Sequence, residues 1–298
     1  MTLKSIAAAD FIALDVPKRR YVFEPFLPES GLIEIFARTG VGKTTFALAL
    51  AIAASSGQDF FGWKVTRPWK VLYVDGEMST QEMQERLSAN ASHFGMPVKQ
   101  ITNLRLICRD RQATGLPDIG CKDGQSWFAE DTKWADILFL DNLSCLLWSG
   151  QENNADDWST VQQWLLNLKA AGKSVIILHH SGKNGSSRGT SRRHDVLDSV
   201  IKLERPTVYT EADGAKFEVH FEKTRGFAGN MAEPVGLVYR LREDLATWEQ
   251  FKITNEKLAE VAALSSTGLL QADIAQRLGI SQGEVSKRLA KARAEDLC

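Results

Sequence analysis

The stretch GLIEIFARTGVGKTTFALALAIAA, residues 31–54, decides the fold class. GLIEIFA (31–37) is short and apolar, as a buried strand requires. It runs into Arg38-Thr39-Gly40-Val41-Gly42-Lys43-Thr44-Thr45 and then into the apolar helix FALALAIAA. A strand, a Gly-rich turn with Lys-Thr and a helix, in that order, make a P-loop. The backbone N–H groups of this turn and the helix N-terminus form a concave anion site for a β-phosphate. The expected ligand is ATP with Mg²⁺, held by Thr39, Gly40, Val41, Gly42, Lys43, Thr44 and Thr45. Lys43 is expected to reach the β/γ oxygens from a solvent-facing position, and Thr44 to ligate the metal. Ala37 stands where the pattern has its first glycine, a mild departure.

Further buried strands lie at KVLYVD (70–75), LRLIC (104–108), DILFLD (136–141) and SVIILHH (174–180). Helix candidates fall between them at 43–56, 80–94, 124–133 and 155–172. Continuous apolar strands alternating with helices imply an α/β fold, a parallel sheet covered on both faces. After residue 200 the texture changes to alternation. DSVIKLER, FEVHFEKTRG and PVGLVYRLR are expected as antiparallel strands extending that sheet. Residues 1–30, with three prolines, suggest an arm lying against the main body or a neighbouring subunit. The domain reading is therefore arm 1–30, ATPase core 31–252 and a helical module 253–298.

In the 298 residues, Lys plus Arg number 36 against 37 acids, so the net charge of −1 advertises no nucleic-acid partner. Any DNA-binding surface must be a local patch. Apolar residues at 44% and charged ones at 24% exclude a wholly disordered or collagen-like chain. The longest apolar run, Phe46 to Ala54, is far short of the roughly 20 residues that span a bilayer. The first residues place acids inside their apolar stretch, so the expected location is cytoplasmic, away from membranes. Cys108, Cys121, Cys145 and Cys298 lack paired spacing, which argues against a zinc cluster.

Asp141 closes DILFLD at the C-terminal edge of the sheet, where ligands bind in such folds, and is the metal-side carboxylate. Asn142 follows it, so no neighbouring Glu is available as base. KVLYVDGEM supplies Glu77, which can accept the attacking water's proton, with Asp75 as runner-up.

A P-loop, a Glu after the next strand and a lone Walker B Asp together resemble the RecA-like ATPases, which include hexameric replicative helicases of the DnaB and RepA type. The resemblance covers roughly residues 22–245. It implies that His180, in the Leu-His-His step of 178–180, senses the γ-phosphate. The segment 181–194, SGKNGSSRGTSRRH, carries Lys183, Arg188, Arg192 and Arg193 with no acid, and can track a phosphodiester backbone. It also resembles the channel-lining region of these helicases. Lys223-Thr224-Arg225-Gly226 resembles the DnaB-type stretch whose Lys and Arg reach the nucleotide of the adjacent subunit; RepA-type proteins match the Lys better than the Arg. The implied state is a ring of identical subunits, a hexamer, acting on single-stranded DNA. No primase-interaction or DNA-pairing domain of the known kinds is recognisable.

The C-terminal stretch GLLQADIAQRLGISQGEVSKRLAKARAEDLC resembles a helix-turn-helix. Gly279 supplies the turn and Ser281 caps a second helix, 281–293. Gln282, Ser286, Lys287 and Arg288 are candidates to touch duplex DNA. A second reading therefore stays open, in which ATP only switches a DNA-binding regulator or helicase loader targeted by this module.

Overall fold

The computed structural model describes residues 4–148, 155–182, 191–206, 209–242, 245–253 and 256–294. In chain order the elements are α1 (Ala8–Ile12), β1 (Tyr21–Phe23), β2 (Leu27–Pro28), β3 (Leu32–Ala37), α2 (Lys43–Ser56), β4 (Val71–Asp75), α3 (Thr80–His93) and β5 (Leu104–Cys108). Then come α4 (Lys122–Ser126), α5 (Ala129–Trp134), β6 (Ile137–Asp141), α6 (Leu143–Leu146), α7 (Ala155–Ala170), β7 (Ser174–His180) and β8 (Ser199–Glu204). The chain continues with β9 (Ala215–Thr224), β10 (Val235–Arg242), β11 (Leu245–Phe251), α8 (Glu256–Ser266), α9 (Gln271–Leu278) and α10 (Gln282–Ala294).

One sheet has the order β11-β10-β9-β8-β3-β7-β6-β4-β5. From β8 to β5 every neighbour is parallel. Residues 198–205, expected as an antiparallel strand, form β8 parallel to β3; the reversal begins one strand later, between β8 and β9. Apolar side chains on both faces of these strands suit burial on each side. Val71, Tyr73, Ile35 and Phe139 face α2 in one core, and Leu72, Val74, Phe36 and Leu138 face α7 in the other.

The helix expected at 124–133 is two, α4 and α5, because the chain turns at Trp127-Phe128. Gly124 sits so close to the Asp118 backbone that a side chain there would collide with it. Within the supposed arm, β1 and β2 form a hairpin whose Val22, Phe23, Phe26 and Leu27 join the α2-side core. Phe26 meets Trp63 edge-on at 5.2 Å. Only the part before it is peripheral, with Phe11 and Ile12 exposed.

All residues of α2 from Thr45 to Ser55 are buried. The terminal strand β11 reaches α3, where Trp248 Nε1 donates to Asn90 Oδ1 (3.0 Å) and Ala246 N to Ser92 Oγ (2.8 Å). The sheet thus curls around α2. The last three helices hold a core of their own, Val261, Ile274, Val285 and Leu289. Among the described residues no helix is long and apolar enough to cross a membrane.

Candidate functional site

The parallel strands all end on one edge, and register brings their last residues level. Ala37 pairs with His180, and Asp75 with Asp141. With β7 beside β3, and β6 and β4 beyond it, the loops after β3, β4, β6 and β7 converge on the N-terminus of α2. Gly42 caps that helix at φ +118°, and a Cβ there would press on Ala215 and Phe217 at 3.0 Å, so only glycine lets the loop close.

Lys43, expected to face solvent, is only 6% exposed. Its Nζ and the Asp141 Oδ1 are both buried with no hydrogen-bond partner among the described residues. Burial pushes the Lys43 ammonium below its ordinary pKa despite the nearby Asp141 and Glu77. Burial likewise raises the Asp141 carboxyl, against the opposing pull of Lys43, Tyr73 and Thr44. Two buried atoms left without a partner, Lys43 Nζ and Asp141 Oδ1, match the β/γ oxygens and the divalent metal of a nucleoside triphosphate. Thr44 lies near enough to the Asp141 carboxylate to lower its pKa, the pairing a shared metal site uses.

Tyr73, one turn of the pleat below Asp75, stacks on Phe139 at 5.5 Å and donates its hydroxyl to Asp141 Oδ2 at 2.6 Å. Asp75 is buried and pushed up to about 7 by desolvation and by Asp141 beside it. Its Oδ2 accepts from Met78 N at 3.0 Å, holding the loop that carries Glu77. The Glu77 side chain itself is 44% exposed, so of the two carboxylates it is the one open to a water molecule.

Glu77 is not free-standing. Asn142 Nδ2 donates to its Oε1 at 2.5 Å, and His180 Nε2 lies 3.3 Å from the same oxygen. That His180 nitrogen is also 3.0 Å from Asn142 Nδ2, so the ring tautomer decides which neighbour it serves. His180 Nδ1 lies 3.5 Å from Thr39 Oγ1, which ties the cluster to the P-loop. Burial tends to raise the Glu77 carboxyl, but Asn142, His180 and Lys43 together hold it below its ordinary pKa. An ionised, oriented carboxylate beside the phosphate cradle can act as a base toward water.

A family model described as an AAA domain matches residues 2–186. The chain belongs to this AAA domain family. Among curated proteins none matches significantly. Solved structures similar to it include the flagellar accessory protein FlaH of Methanocaldococcus jannaschii, at 15% identity and TM-score 0.54, covering 76% of this chain and 91% of that one. A KaiC-like protein of Pyrococcus horikoshii is similar at 14% identity and TM-score 0.52, covering 76% and 93%. With the P-loop in place, this AAA domain protein is a RecA-like P-loop ATPase that takes a nucleotide with a divalent metal.

The remaining expected residues of this AAA domain protein lie elsewhere. Thr224 pairs with Ser199, the first residue of β8, whereas the P-loop follows Ala37, level with Leu203 near the strand's other end. Lys223 and Arg225 therefore sit on the sheet edge opposite their own P-loop. Lys223 Nζ bonds the His194 carbonyl and Arg225 Nη2 the Asp195 carbonyl. Lys183 and Arg188 fall outside the described residues, as do the side chains of Arg192 and Arg193, whose backbone forms a short 3₁₀ turn. On α10, Gln282, Ser286 and Lys287 are exposed, while Arg288 is paired with Glu284 at 2.8 Å.

Sequence reasoning missed three contributors. Asn142 registered only as a missing Glu, although Asn after a strand and before a short helix is a cap signal, here accepting from Cys145 N at 3.2 Å. Tyr73 was legible as the polar exception two residues before Asp75. Arg205, whose Nη2 donates to Gly40 O at 3.0 Å, carried no local signal.

Proposed function

We propose that the chain is a DNA motor of the plasmid- or phage-type replicative helicase kind, hydrolysing ATP with Mg²⁺ between subunits of a hexameric ring in the cytoplasm and moving on single-stranded DNA. In this reading the P-loop amides and Lys43 bind and orient the triphosphate, and Thr44 and Asp141 hold the metal. Glu77, fixed by Asn142, takes the proton from the attacking water. The Mg²⁺, once bound, neutralises charge developing on the β and γ oxygens.

The observation that carries the reading is the separation of Lys223 and Arg225 from their own P-loop. Cations on the far edge can meet a γ-phosphate only in a neighbouring subunit, and a cation supplied in trans is worth about 10³-fold or more in rate. Such a contact also makes turnover depend on how subunits move.

Mixing subunits tests it. Arg225→Ala and Lys43→Ala proteins should each be inactive, while mixed assemblies recover ATPase and strand separation, since some interfaces join an intact P-loop to an intact finger. Mixed assemblies that form yet recover nothing at any ratio refute the shared site. The second reading, a DNA-binding regulator, draws support from the exposed Gln282, Ser286 and Lys287 on α10. It predicts that Arg225→Ala leaves duplex binding intact and that the wild type separates no strands.

A further inference from the structure

At the strand-end edge beside the P-loop, the ends of β3, β7 and β8 leave a pocket of about 250 Å³. Ala37, Val41 and Leu203, of the α2-side core, line one wall. Phe36 and Val200 belong to the α7-side core, and Lys202, two residues beyond Val200, shares that face. Arg38, Thr39 and Val41 of the P-loop line the pocket together with Ser181, Lys202 and Arg205, whereas Lys43, Thr44 and Asp141 do not, so it shares a wall with the nucleotide cradle and lies apart from its metal side.

Its chemistry is that of an anion site. Three of those lining side chains are cations, and the one lining acid, Glu204, is exposed and paired with Lys202 at 2.8 Å. Arg205 spends one donor on the Gly40 carbonyl and stacks on Tyr209 at 4.2 Å, a posture that fixes its guanidinium. Ser181 is only 8% exposed, and its Oγ has no partner among the described residues. A buried hydroxyl left unpaired is costly, and an anion in the pocket supplies the missing acceptor.

We propose that this pocket binds a phosphate of a single-stranded nucleic-acid backbone, on the flank of the P-loop away from Lys43 and Asp141. The proposal rests on the DNA-motor reading and deepens it. Guanidinium, ammonium and hydroxyl donors suit a singly charged phosphodiester, and Ser181 is where the chain enters its Gly/Ser-rich basic segment. Through Arg205 the pocket abuts the carbonyl of Gly40, so a strand seated there touches the wall of the nucleotide loop.

The test follows a fluorescent oligo-dT by anisotropy through a salt titration, using the full chain with a non-hydrolysable ATP analogue. One phosphate contact to single-stranded nucleic acid contributes a slope of about 0.7 in log affinity against log salt. Lys202→Gln should lower the slope by about that much and weaken binding about fivefold at about 0.1 M salt. Affinity for a fluorescent ATP analogue should stay at the wild-type value, which also reports an intact fold. Lys202→Arg should restore the slope, and Ser181→Ala should weaken binding without changing it. Wild-type binding with an unchanged slope in Lys202→Gln overturns the pocket alone. A wild type that binds no oligonucleotide overturns the DNA reading and the pocket with it. Orthophosphate that protects the wild type but not Lys202→Gln from heat, with the oligonucleotide slope unaltered, assigns the pocket to a free anion and overturns the backbone proposal.

Discussion

Replacing Asn142 by Ser separates the two jobs of that side chain. Its Oδ1 caps α6 by accepting from Cys145 N, and its Nδ2 holds Glu77 Oε1 at 2.5 Å. Serine is about as good an N-cap as asparagine, so the helix start survives, but its hydroxyl is too short to reach Glu77. A hydrogen bond to a charged group contributes about 1.5–3 kcal/mol. If that energy serves to position the base in the transition state, kcat falls about 10- to 100-fold with KM for ATP little changed. Losing the donor removes one of the groups that hold the Glu77 carboxyl down, so its pKa rises toward the ordinary value. The base acts ionised, so activity disappears as pH falls through that pKa, and the acid limb of the profile moves to higher pH. Steady-state ATPase across pH, with melting curves, reads both effects. Asn142→Ala should show the same kinetic loss and about 1 kcal/mol of lost stability besides. A serine variant with unchanged kcat and an unmoved acid limb refutes the positioning argument.

Lys43→Met should abolish turnover while leaving the nucleotide-free protein at least as stable in thermal melts, because the ammonium is buried without a partner. Tyr73→Phe keeps the Phe139 stack and removes the bond to Asp141, so half-maximal ATPase should need about tenfold more divalent metal, as a metal titration reads. Asp75→Asn should stabilise the protein by an amount that grows from about pH 4 to about pH 7 and then levels. Its folded carboxyl titrates at about 7, so ionisation is penalised only in the folded state, by about 4 kcal/mol at most. Denaturant melts across that range check it.

The sheet was legible because its strands are apolar on both faces and end in polar residues. LRLIC and SVIILHH stand as β5 and β7 without a residue's error, and KTTFALALAIAASS is α2. What escaped depends on long-range packing. Pro25 and Pro28 disguised the β1–β2 hairpin as an arm, though Phe23 and Phe26 are core residues. LATWEQF gave little strand signal, and β11 exists because Trp248 docks on α3. At the site, the P-loop could be read from spacing alone, since its chemistry lies in contiguous backbone. The Glu77–Asn142–His180 cluster joins three strand ends and appears only when register sets them side by side.

A helix enclosed on every side has no free direction in which to rock. Beneath the phosphate cradle, α2 is gripped by the sheet, by α3 and by the returning strand β11, with Phe46 wedged against Phe60, Trp63, Phe217 and Trp248. Close-packed interiors yield little to compression. The nucleotide therefore pushes on an anvil rather than a lever. Whatever displacement its arrival or departure produces must emerge at the rim, in the loops at the strand ends and in the angle this body makes with whatever lies against it.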